Sequence, residues 1–303
     1  MSKTKKWLIA AGILVILGLI NCGVAFSALG FSFNKLETTE YVTNTYEVTE
    51  AFDDIDIEAD TEKVDLVYAE DGICRVVCVE RADLPHKVCV ENNILKISEI
   101  PHPVSFKPEV SLHDLSITVY LPEYSYGDIK ILADTGNVSL PAGFTFENIQ
   151  MKLDTGYALC SALANQEAQI STDSGDITLS GMSADLMDLE TDTGNITLSD
   201  IKAGDLSLES DSGRADLKNC IAGKLCVTTS VGNISFDECD ADTITAASDT
   251  GSITGTLLSE KTFVTQTDTG EVNVPASGQG GKCELTTDTG DIEIFVRRDG
   301  RPL

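Results

Sequence analysis

The chain reads as an all-β protein: a single-chain, β-helix-like β-solenoid of 19–20-residue coils behind one N-terminal transmembrane helix. Two observations carry the solenoid. A three-residue word recurs nine times, at Asp134-Thr135-Gly136, Asp154-Thr155-Gly156, Asp173-Ser174-Gly175, Asp192-Thr193-Gly194, Asp211-Ser212-Gly213, Ser230-Val231-Gly232, Asp249-Thr250-Gly251, Asp268-Thr269-Gly270 and Asp288-Thr289-Gly290. Its glycines are 19 or 20 residues apart, a period that marks a stacked repeat. Apolar and polar residues also alternate on both sides of the word, as in Ile177-Thr178-Leu179 after Gly175 and Ile170-Ser171-Thr172 before it, the pattern of strands with one buried face.

Each unit is therefore strand, turn, strand, short bend. A unit this small cannot bury its own apolar face, whereas stacked units place like residues over like at roughly 4.8 Å per rung, so nine coils give a rod of about 43 Å. A further apolar spot seven residues after the glycine, in Leu163, Met182, Ile201, Cys220, Cys239 and Leu258, is expected to fill the bend. The glycine is expected to supply positive φ in the turn, and the aspartate to accept hydrogen bonds from turn N–H groups.

The N-terminal elements follow in order. Residues 1–33 are a cytoplasmic tip and membrane anchor: Lys3, Lys5 and Lys6 precede an uncharged run from Trp7 to Phe33, long enough to cross a bilayer as a helix. The leading lysines, with Glu37 and Glu40 beyond the run, place the N-terminus in the cytoplasm and the bulk of the chain outside the cell membrane. Two rival readings are a signal-peptidase site at Ala25-Phe26-Ser27 and a lipoprotein-like box ending at Cys22; the length of the apolar run favours an uncleaved anchor. Residues 34–50, rich in Thr and Glu, read as a polar stalk. Residues 51–126 hold short alternating runs interrupted by Pro101, Pro103 and Pro108 and read as irregular coils that cap the stack. Residues 127–303 are the regular solenoid, closed by Arg297, Arg298, Arg301 and Pro302, because an open stack would expose an unpaired edge.

The formal net charge of -28 argues against nucleic acid and against charge-driven docking on anionic lipid. Of the eight cysteines beyond the anchor, Cys160, Cys220, Cys239 and Cys283 fall at inward positions and read as core thiols; Cys220 and Cys239 share a column, so a bridge is the alternative. Cys74, Cys78 and Cys89 lack a histidine at zinc-like spacing.

Asp-Thr-Gly is also the local word of aspartic proteases, but those need two carboxylates sharing a proton, not nine copies at coil spacing. The stacked carboxylates Asp134, Asp154, Asp173, Asp192, Asp211, Asp249, Asp268 and Asp288 are the candidate site. Turn hydrogen bonds would offset their mutual repulsion; calcium bridging successive coils is the alternative. No obligate cofactor or metal is expected. Asn137, Asn195 and Asn233 stand in glycosylation sequons, at a turn position where Asn is common anyway. His86, His102 and His113 have no nucleophile motif beside them, and Arg214 is the lone outward arginine of the repeat strands, so no catalytic residue is assigned.

The anchor, the Phe52-x2-Ile55-x-Ile57 and Ile117-x-Val119-x-Leu121-Pro122 strands, and units such as Thr172-Asp173-Ser174-Gly175-Asp176-Ile177-Thr178-Leu179 together resemble the bacterial "putative adhesin" β-strand-repeat family. The resemblance covers about residues 50–295 and implies an envelope domain of unknown function with no catalytic residues to carry over. It implies a non-catalytic, surface-exposed binding or scaffold module for an envelope protein or glycan. A sensory ectodomain in envelope-stress signalling is the second reading, and a carbohydrate-active enzyme the third.

Overall fold

The computed structural model describes residues 3–28, 40–100 and 114–297. Helix α1 (Lys3–Ala28) covers most of the apolar run. Counting only its residues whose side chains are described, no stretch is long and apolar enough to cross a membrane. Everything after it is strand and turn.

The repeats coil as a parallel two-sheet solenoid. The long strands before each word, β8 (Ile129–Thr135), β10 (Thr145–Thr155), β12 (Leu163–Ser174), β14 (Ser183–Thr193), β16 (Lys202–Ser212), β18 (Ile221–Val231) and the end of β19 (Ile234–Thr250), stack in register in one sheet. The short strands after the word form the second sheet: β9 (Val138–Leu140), β11 (Ala158–Cys160), β13 (Ile177–Ser180), β15 (Ile196–Ser199), β17 (Ala215–Lys218), the start of β19, and β20 (Ile253–Leu257). Ile131, Met151, Ile170, Leu189, Leu208, Val227 and Ala246 lie directly over one another in the first sheet. All seven are buried, as are their facing counterparts Val138, Ala158, Ile177, Ile196, Ala215, Ile234 and Ile253. Each Leu or Ile so placed contributes about 1.5–3 kcal/mol of burial, so the two columns hold the rod together.

The glycine column has a reason the turn chemistry alone did not give. Gly156 does have a positive φ of 140°. Gly213 does not, yet a Cβ there would sit 1.7 Å from the carbonyl oxygen of Gly194 in the coil below. Coils stack so closely at this corner that the space for a side chain is already filled by backbone.

Four coils turn their next corner through one left-handed residue, at Gly181, Asp200, Asn219 and Glu238. That residue swings Met182, Ile201, Cys220 and Cys239 inward, as expected. The coils of Gly156 and Gly251 lack it, so Leu163 and Leu258 are exposed and Ala162 and Leu257 take the inward place.

At the C-terminal end the stack departs from sequence order. The coil β23 (Lys282–Thr289) and β24 (Ile292–Val296) pairs on one side with β19 and β20. On its other side lies the earlier coil, β21 (Thr262–Thr269) and β22 (Val272–Asn273). The repeat aspartates thus run Asp249, Asp288, Asp268, and Asp288, expected last, is internal. Composition explains the exchange. Cys283, Leu285, Ile292, Ile294 and Val296 are buried, whereas β21 offers Thr265 at the equivalent of Leu285 and β22 leaves Val272 exposed. The more apolar coil takes the position with neighbours on both sides. The connecting loop fits because Gly280 and Gly281 pass so close to the carbonyls of Glu260 and Asp242 that a Cβ would lie 1.5 and 1.8 Å away. Lys261, buried at the crossing, binds Asp240 Oδ1 at 2.5 Å and the Ala241 carbonyl at 2.5 Å.

The N-terminal end is more regular than expected in one part and less in another. Strands β2 (Asp54–Ala59) and β3 (Lys63–Tyr68) pair in parallel with β8 and β9, with Ala59 over Ala133 and Val64 over Val138. Asp60-Thr61-Glu62 is thus a tenth corner of the same kind, with Glu62 in the glycine place. The next coil outward is β6 (Ile94–Glu99) on β2 and β7 (Ser116–Leu121) on β3. Antiparallel strands then close the end: β5 (His86–Glu91) on β6, β4 (Arg75–Arg81) on β7, and β1 (Tyr41–Glu47) on β4. Residues 41–47, expected in a stalk, are therefore a cap strand. The prolines Pro101, Pro103 and Pro108 and the terminal Arg298, Arg301 and Pro302 lie outside the described residues.

Candidate functional site

The repeat corner carries three polar columns, and the expected roles are redistributed among them. Asp134, Asp154, Asp173, Asp192, Asp211, Asp249, Asp268 and Asp288 are all exposed, and none accepts a hydrogen bond or joins an ion pair. The expected turn bonds fall instead to acceptors just after five of the glycines, Asn137, Asp176, Asn195, Asn233 and Asp291. The amide of Tyr157 donates to Asn137 Oδ1 at 3.1 Å, that of Asn195 to Asp176 Oδ1 at 2.7 Å, and that of Arg214 to Asn195 Oδ1 at 3.1 Å. Ser252 donates likewise to Asn233 Oδ1 at 2.9 Å, and Glu271 to Asp291 Oδ1 at 2.9 Å. In a parallel stack that amide points along the rod at the same position of the preceding coil, whereas the aspartate side chain points away from it.

The third column was missed. Thr172, Thr191, Ser210, Thr229, Ser248 and Thr287, three residues before their glycines, are buried. Thr191 Oγ1 donates to the Gly175 carbonyl at 3.0 Å, Ser248 Oγ to Gly232 at 3.0 Å and Thr287 Oγ1 to Gly251 at 2.8 Å. These hydroxyls tie each strand to the corner of the coil before it. The signal was present, since the repeated word is preceded by Thr or Ser in the regular coils but by Ala133 and Leu153 in the first two.

Outward strand positions form flat ladders of short polar groups. One sheet carries Thr178, Thr197, Asp216, Ser235 and Thr254, and the other carries Gln150, Gln169, Asp188 and Ser207, then Cys226 and Thr245. Gln150 Nε2 donates to Gln169 Oε1 at 3.1 Å.

The described cysteines are free thiols. Burial pushes the Cys160 thiol up to about 12 and Cys283 to about 12, so both stay protonated in the core. Cys220 and Cys239 do share a column: the Asp240 amide donates to the Cys220 carbonyl at 2.9 Å, and the thiols donate to backbone carbonyls, Cys220 Sγ to Lys218 and Cys239 Sγ to Leu217, at 3.4 Å each. Cys74, Cys78 and Cys89 do not converge.

A charged cluster lies buried where the cap meets the first coil. Glu62, Glu80 and His86 have relative exposures of only 1, 1 and 2 %. Glu80 enters because β4 alternates, with Val76, Cys78 and Glu80 all facing inward. Its Oε2 accepts from the His86 amide at 2.7 Å and lies 2.5 Å from His86 Nδ1. Its Oε1 accepts from Asn44 Nδ2 at 2.5 Å and the Tyr46 hydroxyl at 3.0 Å. Burial pushes the Glu80 carboxyl up, but the bonds from Asn44, His86 and Tyr46 outweigh it and hold the group below its usual range. Burial, then Glu80, pushes Tyr46 up to about 12.

Beyond the ring, Glu62 Oε1 stands 4.0 Å from His86 Nε2, while Glu62 Oε2 accepts from the Asp60 and Thr61 amides at 3.0 Å each. Glu99, at the end of β6, completes the group; burial, then Glu62 and Asp60, raises its carboxyl above the usual range. Among the described residues two sets have donor atoms close enough for one cation: Glu62, His86 and Glu99, and Cys78, Glu80 and His86. Neither includes a repeat aspartate. His102 and His113 lie outside the described residues.

A family model described as Toastrack DUF4097 matches residues 52–220 and 188–301. No curated protein matches the chain. Among solved structures, a "putative adhesin" from Bacteroides fragilis is similar at 19% identity, covering 84% of this chain and 97% of that one, with a TM-score of 0.49. Another from Parabacteroides distasonis is similar at 11% identity, covering 84% and 98%, with a TM-score of 0.45. A "putative lipid binding protein" from Parabacteroides distasonis is similar at 14% identity, covering 83% and 96%, with a TM-score of 0.36.

Proposed function

Because this chain belongs to the Toastrack DUF4097 family, whose very name leaves activity open, we propose a role from its surfaces: a membrane-anchored, surface-exposed, non-catalytic scaffold that binds a neutral, extended ligand such as an envelope glycan in the manner of an adhesin. The carrying observation is the pair of flat outward ladders. Apart from the carboxylates Asp188 and Asp216, their polar side chains bear hydroxyls or amides, and all are fixed in register by the backbone, so little conformational entropy is lost on binding. The net charge of -28 disfavours anionic partners.

The anchor half of the proposal rests on α1. Its 26 residues span about 39 Å at the α-helical rise, against a hydrocarbon core of about 30 Å. No charge follows Lys6 within it.

Retention of the full-length, detergent-solubilised chain on isolated cell-wall polysaccharide tests the binding half. Lysines at Thr178, Thr197 and Ser235 are expected to reduce retention at least ten-fold with the far-UV circular dichroism unchanged; equal retention rules out the ladder. Carbonate extraction and proteolysis of intact cells test the anchor: release by carbonate, or protection of the solenoid in intact cells, rejects it.

A further inference from the structure

The cluster under the cap has a polar atom with nothing to bond. His86 Nε2 is fully buried and has no hydrogen-bond partner. Its other nitrogen is committed: Glu80, an acceptor, lies 2.5 Å from Nδ1. In the neutral ring the proton therefore sits on Nδ1, which leaves the Nε2 lone pair free. A carboxylate behind one imidazole nitrogen, with the opposite nitrogen facing further oxygen donors, is the outer-shell arrangement that orients metal-binding histidines.

The lone pair faces Glu62 Oε1 at 4.0 Å and the carboxyl of Glu99, with all three donor atoms within 4.8 Å of one another. Tetrahedral ligation at zinc-like bond lengths sets donors about 3.4 Å apart, so the Glu62–His86 pair must close by about 0.6 Å and no pair by more than about 1.4 Å. Glu62 reaches this position because it occupies the glycine place of its corner, where Oε2 accepts from the Asp60 and Thr61 amides while Oε1 faces His86 of the cap. Glu99 also borders a cleft of about 300 Å³ lined with Glu58, Ala59, Asp60, Leu132 and Asp134, which gives a cation an acidic way in.

We propose that Glu62, His86 and Glu99 bind one divalent cation of the zinc class, His86 through Nε2, with Glu80 orienting the ring from behind. One nitrogen and carboxylate oxygens suit zinc and its first-row neighbours rather than calcium or magnesium, which prefer all-oxygen sites. The alternative set with Cys78 would need Glu80, whose oxygens already accept from Asn44, Tyr46 and His86. Bound there, the ion clips the corner before β3 to β5 and β6 and neutralises the carboxylates that face the ring. The site is structural and independent of any ligand on the outer ladders.

The test uses the full-length chain in detergent, stripped with a chelator and dialysed against micromolar zinc, with metal content measured by mass spectrometry and melting followed by circular dichroism. The expected result is one zinc per chain and a higher melting temperature. Glu99→Gln, the least buried ligand change, is expected to weaken zinc at least thirty-fold, and Glu80→Gln ten- to a hundred-fold through lost orientation, with Asp173→Asn binding like wild type. His86→Gln, checked for folding by circular dichroism, is expected to bind none. Failure of the folded wild type to take up zinc, cobalt, nickel or manganese overturns the proposal. So does zinc uptake by Glu99→Gln and His86→Gln equal to wild type.

Discussion

Replacing Gly213 by alanine separates close stacking from turn conformation as the reason for the glycine column. The new Cβ would lie 1.7 Å from the Gly194 carbonyl oxygen. Favourable contact needs about 3.5 Å, so the two coils must part by well over an ångström at a point where both atoms are backbone. Parting them stretches the bonds that join these coils, Gly194 amide to Ser212 carbonyl at 3.0 Å and Ile196 amide to Arg214 carbonyl at 2.9 Å, together with Ser210 Oγ to Gly194 at 3.2 Å. Leaving two or three buried groups poorly bonded at about 1–3 kcal/mol each gives a loss of roughly 3–6 kcal/mol. Gly181 is the control: its φ is 64° and a Cβ there meets nothing within 4 Å, so alanine costs only the left-handed backbone term of about 1–2 kcal/mol. Urea unfolding followed by circular dichroism compares the midpoints. If G213A and G181A lose the same stability, φ and not coil contact is the reason, and the stacking account of the corner fails.

Thr191→Val removes a buried hydroxyl bond of 3.0 Å and is expected to cost about 1–2 kcal/mol, while Asp192→Asn in the exposed column stays within about 0.5 kcal/mol; urea midpoints of the two variants check this. Millimolar calcium is expected to move the melting temperature no more than magnesium at equal ionic strength, and a calcium-specific rise would reinstate a cation between the repeat aspartates. Leu285→Ala is expected to cost about 2–5 kcal/mol and Thr265→Ala under about 1 kcal/mol, since Leu285 is buried between coils and Thr265 belongs to the end coil; a reversed ranking contradicts the exchanged order. In chelator, the depressed Glu80 carboxyl contributes stability that is present above the ordinary Glu range near pH 4.3 and is lost as pH falls through its lower folded value, so Glu80→Gln should lose about 2–3 kcal/mol at pH 7 with the gap to wild type closing below about pH 4. The raised Glu99 carboxyl works the other way, destabilising as pH rises through its folded value, so metal-free Glu99→Gln should be the more stable protein at pH 7 in a thermal melt.

The regular coils were legible because one constraint acts many times: every rung needs an apolar residue at the same two inward places and no side chain at the corner. Where a corner is used once, periodicity is silent. Glu62 hid a coil by standing in the glycine place, although Ala59-Asp60-Thr61 and Val64-Asp65-Leu66 around it match Ala133-Asp134-Thr135 and Val138-Ser139-Leu140. The order of the last two coils could not be read from the word, which both carry; it follows from inward composition, Thr265 against Leu285. The buried cluster was half legible. Glu80 on the inward face of an alternating strand is an acidic residue where an apolar one is expected, but its partners Glu62, His86 and Glu99 come from three other segments whose meeting depends on the antiparallel cap.

The exchanged coils carry a lesson about order in time. A chain that emerges N-terminus first can wind its rungs as they appear, up to the one ending at Leu257. The segment that belongs next, Lys282–Val296, emerges after its outer neighbour, so the Thr262–Asn273 lap has no seat until that segment arrives. A molecule cut short before Val296 would therefore lack an inner storey rather than a roof tile, and would present an open seam to proteases. The outer lap is made first and seated last.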